Sequence, residues 1–92
     1  MFQVYILHSN KLNRFYIGFT ENFETRMEFH LGKDQNRKFT YNSDDWQVYL
    51  KIDCESKSQA VAIEKHIKSM KSKIYIENLL KYPEIILNLK TK

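Results

Sequence analysis

Gln3-Val4-Tyr5-Ile6-Leu7, then His8-Ser9-Asn10-Lys11-Leu12-Asn13, then Arg14-Phe15-Tyr16-Ile17-Gly18-Phe19 is the stretch that decides the fold. The two outer runs are β-branched and aromatic, which suits a pleated surface. The middle run is polar and turn-forming. Two such strands joined by a short polar loop predict an antiparallel hairpin.

Downstream the period changes. Thr20 is read as a helix N-cap with Glu21 and Glu24 in the first turn. Phe23, Met27 and Leu31 recur at helical spacing, and Gly32 is expected to end that helix. Lys33 to Asp45 is polar and aperiodic, a loop long enough to be functional. Trp46 to Asp53 closes in Val48-Tyr49-Leu50-Lys51-Ile52, a third strand. Ser56 and Gln59 have the spacing of a capping box. Behind them Ala60, Ile63, Ile67 and Met70 form a second apolar stripe. A third helix is expected over about 73–81, stopped by Pro83. Glu84 to Leu89 is apolar enough to dock, with no state assigned. The expected order is β-β-α-β-α-α: a mixed α/β (α+β) fold with a small three-stranded antiparallel sheet and flanking helices.

Composition narrows the functional classes. A chain of 92 residues, 42% hydrophobic and 14% aromatic, makes one folded domain with a modest core. No apolar run approaches the roughly 18 residues of a membrane span. The start, Met1-Phe2-Gln3-Val4-Tyr5, lacks the basic-then-apolar pattern of a signal peptide. Cys54 is the one cysteine, so no disulfide framework arises and a reducing cytoplasm is expected. The net charge is +4 and lies in the second half, where 47–92 hold nine lysines against five acids. Lys65, Lys68, Lys71 and Lys73 cluster there and suit a polyanion. Lysines late in a helix equally favour the helix dipole.

Few residues are placed for chemistry. His8, His30 and His66 show no close pairing with one another or with Cys54, against a zinc site. With only Gly18 and Gly32, the chain has no glycine-rich phosphate loop. Arg26 and His30 are four apart on one helical face. Arg26 lies at the edge of the buried stripe, either packing its stem on aromatics or meeting a phosphate bidentately. Glu64 stands beside the core stripe of its helix. It is either an ordinary pair with Lys68 or a magnesium ligand. Tyr5 and Tyr16 are ordinary strand residues taken singly, although their hydroxyls can converge on one sheet edge.

Taken together, Val4-Tyr5, Tyr16-Ile17-Gly18, Arg26 with His30, and Glu64 within Ala62-Ile63-Glu64-Lys65-His66-Ile67-Lys68 resemble the GIY-YIG endonuclease family. The form resembled is the short stand-alone bacterial domain related to the nuclease half of the excision-repair incision subunit. The likeness spans about residues 2–80. One departure is Gln3, which stands where the first motif has its glycine. The resemblance implies a metal-dependent endonuclease acting on nucleic acid, with DNA as the expected form. Tyr5 would be the general base, and Tyr16 would hold water or phosphate. Arg26 would stabilise phosphoryl charge, and His30 would assist. Glu64 would anchor one Mg2+ (or Mn2+), and Arg26 and the metal would favour the Tyr5 phenolate. The loop with Lys33, Arg37 and Lys38, and with Phe39 and Tyr41 interleaved, either tracks a backbone and stacks on bases or is simply solvated, and Lys65, Lys68 and Lys71 would add salt-dependent, non-specific affinity. The other class consistent with the residues is a catalytically idle nucleic-acid-binding or protein-interaction module on the same scaffold.

Overall fold

The computed structural model describes residues 1–31 and 45–91, with side chains described for 1–28 and 45–91. Strands β1 (Phe2–Ser9) and β2 (Arg14–Thr20) form the expected hairpin, each running slightly further than the apolar pattern alone suggests. The turn is closed by Asn13, which adopts φ 50°, a conformation asparagine tolerates. The Asp45 carboxylate accepts from the Ser9 hydroxyl and from the Lys11 backbone N–H, at 2.5 and 2.8 Å. That clamp fixes the turn against the chain entering β3 (Gln47–Cys54). The sheet order is β2-β1-β3, all antiparallel, so β1 is central and, among the described residues, β2 is an open edge.

Alternation along the strands divides the core. Val4, Ile6, Ile52 and Cys54 face one side, where helices α2 (Lys57–Met70), α3 (Lys73–Lys81) and α4 (Glu84–Lys90) pack on them. Tyr5 and Leu7 face the other side, with Trp46 and with Phe23 and Met27 of α1 (Phe23–Leu31). A register shift between Ile6 and Leu7 marks a bulge in β3. Tyr49, within that irregular stretch, lies 6.1 Å from His8 and 5.0 Å from Phe15, ring to ring.

Several local expectations change. The N-cap of α1 is Asn22: its side-chain oxygen accepts from the Thr25 N–H at 3.1 Å. Thr20 instead braces Asn22, accepting from its N–H and donating to its carbonyl. Glu21 therefore precedes the helix. Met70, the last residue of α2, is 43% exposed rather than part of the core stripe. Pro83 ends one helix and opens another. Its fixed φ and missing N–H suit a helix start, so the tail folds as α4 with Leu89 buried. Gln59 does more than cap. Its N–H donates to Ser56 Oγ, its Oε1 accepts from the Glu55 N–H, and its Nε2 donates to the Lys90 carbonyl, tying α4 to the start of α2. The Gly32 helix stop lies outside the described residues.

Candidate active site

Antiparallel register sets the first half of the site. Tyr5 on β1 pairs with Gly18 on β2, and Leu7 pairs with Tyr16. Tyr5 and Tyr16 are thus diagonal neighbours on one face, their rings 6.2 Å apart and tilted by 33°. The Tyr5 ring leans over β2 to where a side chain on residue 18 would stand. A Cβ there would lie 2.5 Å from Tyr5 Oη and 2.7 Å from Cζ. Glycine is therefore required at 18 for space. Helix α1 closes the far side, with Phe23 edge-on to Tyr5 at 6.4 Å and the Lys51 ammonium 4.6 Å from the Phe23 ring centre.

The second half comes from the opposite side of the sheet. Helix α2 packs on the Val4–Ile6 face, yet Lys57, Glu64 and Lys68 reach the same cleft as Tyr5. They meet because β2 is an edge strand. Tyr16 through Thr20 all line the cleft although their side chains alternate between faces, so the cleft wraps the open edge. Its volume is about 800 Å³, and Tyr5, Tyr16, Arg26 and Glu64 all line it. The four motif side chains are therefore gathered at one place.

Their environments differ. Arg26 is exposed and Tyr16 half-buried, whereas Tyr5 is only 2% exposed. Burial pushes the Tyr5 phenol well above its ordinary value, and the neighbouring Tyr16 pushes it further. Arg26 pulls the other way, while a hydrogen bond with Tyr16 and the Glu64 carboxylate add to the rise. The expectation that Arg26 favours the phenolate holds in direction but not in net effect. The guanidinium acts in the expected direction, but desolvation of a nearly enclosed ring outweighs it.

Glu64 Oε1 lies 3.0 Å from Lys68 Nζ, with the Glu64 side chain 13% exposed and that of Lys68 53%. Among the described residues no three His, Cys, Asp or Glu gather as a metal site. Of the two carboxylates that line the cleft, Glu21 is exposed and Glu64 partly buried, so Glu64 is the one that could hold an ion, whose other oxygens would come from water and phosphate. That donor set fits magnesium or manganese and not zinc.

Of the remaining expected residues, some lie outside the described set and others line neighbouring depressions. His30 belongs to α1, but its side chain lies outside the described set, as do Lys33, Arg37, Lys38, Phe39 and Tyr41. Lys65 does not line the cleft but a shallow depression beside it, with Ser58, Val61 and the shared Lys57. Lys71 lies beside the cleft rather than in it, against Arg14 and Lys73. Lys57 was not anticipated. Its spacing of seven and eleven residues before Glu64 and Lys68, two and three helical turns on one face, was the available signal.

The family model of the GIY-YIG catalytic domain matches residues 1–78. The chain belongs to the GIY-YIG family, whose catalytic domain is a nuclease fold. Searches of curated proteins and of solved structures returned no significant match.

Proposed function

We propose that this protein is a divalent-metal-dependent endonuclease that hydrolyses phosphodiester bonds in nucleic acid, DNA being the expected form. The observation that carries the reading is the convergence of Tyr5, Tyr16, Arg26 and Glu64 on one cleft around the β2 edge. Glu64 and Lys57 would hold opposite ends of the phosphate environment, the first through a Mg2+ or Mn2+ ion and the second directly. When bound, that ion supplies positive charge to the phosphoryl and departing oxygens.

The residues of the chain divide the remaining work. Arg26, exposed on α1, meets the non-bridging oxygens with its planar fork of donors. As the phenolate, its own proton having left to solvent, Tyr5 Oη would accept the proton of the attacking water, with Tyr16 fixing its direction. For Tyr5 to ionise, its burial has to be offset by positive charge, of which the Arg26 guanidinium is already in place. His30 assists in proton handling or phosphate contact. A reducing, cytoplasmic setting suits the lone, buried Cys54.

The test is gel-resolved cleavage of single-stranded, duplex and branched DNA and RNA in magnesium or manganese, against the same reactions in chelator. Metal-dependent cleavage of at least one substrate supports the reading. Failure on all of them moves the assignment to a catalytically idle binding module.

A further inference from the structure

A second depression, of about 250 Å³, adjoins the cleft and shares Ile17 and Lys68 with it. Four cations from three elements rim it: Arg14 at the start of β2, Lys68 and Lys71 at the end of α2, and Lys73 at the start of α3. No carboxylate among the described residues lines it, and its floor is apolar, with Phe15, Ile17 and Ile67. Arg14 and Lys71 are exposed and make no ion pair among the described residues. Lys73 is pinned, its ammonium donating to the Asn13 carbonyl at 2.6 Å, which sets a positive charge at the hairpin turn. Lys71 closes α2 in a left-handed conformation at φ 47°, turning the chain into α3 so that 71 and 73 meet at one rim.

We propose that this depression is a phosphate-backbone site, and that a polynucleotide strand leaving the cleft runs along β2 past Lys68 toward Arg14, Lys71 and Lys73. Cleft and depression together follow β2 from Thr20 to Arg14, six steps or roughly 20 Å at the rise of an antiparallel strand. Backbone contacts at the far end add affinity and register without reading sequence. This inference rests on the nuclease reading for its substrate, and it takes Lys65, on another part of α2, out of the path.

Binding of the intact protein to a fluorescent single-stranded DNA and to a duplex, across a salt series in chelator, tests the site without turnover. The variant is Arg14→Gln/Lys71→Asn, asparagine being chosen because it tolerates a left-handed backbone. Each phosphate contact contributes about 0.7 to the log–log salt slope for a single strand and about 0.9 for a duplex. The double variant should lower the slope by about 1.4 or 1.8 accordingly, and Arg14→Lys/Lys71→Arg should restore it. Lys65→Gln should leave the slope unchanged. An unchanged slope in the double variant, or an equal loss in Lys65→Gln, overturns the site even if the protein cleaves. A lost slope in a protein that cleaves nothing upholds the site and overturns the nuclease reading instead.

Discussion

Gly18 stands directly across from Tyr5 in the β1–β2 ladder, and the Tyr5 phenol occupies the space that any side chain on residue 18 would fill. The clash is with Oη and Cζ of a ring held between Tyr16 and Phe23, so the ring cannot swing away cheaply. Gly18→Ala should therefore cost about 1–3 kcal/mol in urea unfolding, the range for overpacking, while the fold survives. It should also depress cleavage more than the stability loss explains, because it displaces the proposed base. Wild-type stability together with wild-type activity would contradict this packing.

The raised phenol has a consequence for alkaline stability. Tyr5, Tyr49 and Tyr75 are all shifted upward, burial being the first cause in each. A group whose folded value lies above its unfolded value of about 10 contributes stability that is fully present below that pH. The contribution is lost as pH rises, because the unfolded chain ionises first. Unfolding free energy should fall steeply above about pH 10, and Tyr5→Phe should flatten the fall by about 1.4 kcal/mol per pH unit. Ultraviolet titration checks the same point: Tyr5→Phe should remove no tyrosine from the group ionising near pH 10.

Gln3 occupies the position where the family's first motif carries glycine, and its side chain has a structural role. Its Nε2 donates to Asp53 Oδ1 at 2.7 Å, across the β1–β3 pair. Gln3→Gly loses this exposed hydrogen bond and adds chain entropy, so it should cost about 1 kcal/mol. Cleavage should stay at the wild-type level, since Gln3 does not line the cleft. A large activity change with unchanged stability would give residue 3 a role in the site.

Much of this architecture was legible in the residues. The β-branched runs around Asn10–Asn13 determined the hairpin, and the stripe Ala60, Ile63, Ile67 determined the buried face of α2. The Tyr5–Gly18 opposition follows once the turn is centred, since paired positions in the hairpin sum to 23. What the sequence hid is long-range. Nothing local states that β1 is central and β2 an open edge, and only that order lets Glu64 reach round to Tyr5 from the other face. The burial that keeps Tyr5 protonated likewise depends on how α1 closes over the sheet. Residues 84–89 showed apolar content without a clear helical start, because Pro83 reads equally as a stop and as a first-turn residue.

Glu64 supplies the sharpest test of the catalytic account, because its ion pair with Lys68 offers a competing role. An i,i+4 pair of this kind, with Lys68 53% exposed, is worth only about 0.3–0.5 kcal/mol. If pairing were its only role, Glu64→Ala and Lys68→Ala would behave alike and nearly silently. The deciding measurement is the single-turnover cleavage rate of Glu64→Ala and Lys68→Ala in magnesium, alongside their thermal unfolding. The account predicts that both fold and that Lys68→Ala binds nucleic acid more weakly but keeps most of its rate at saturating protein, while Glu64→Ala loses orders of magnitude even there. Full activity in Glu64→Ala, or equal losses in the two variants, would contradict it.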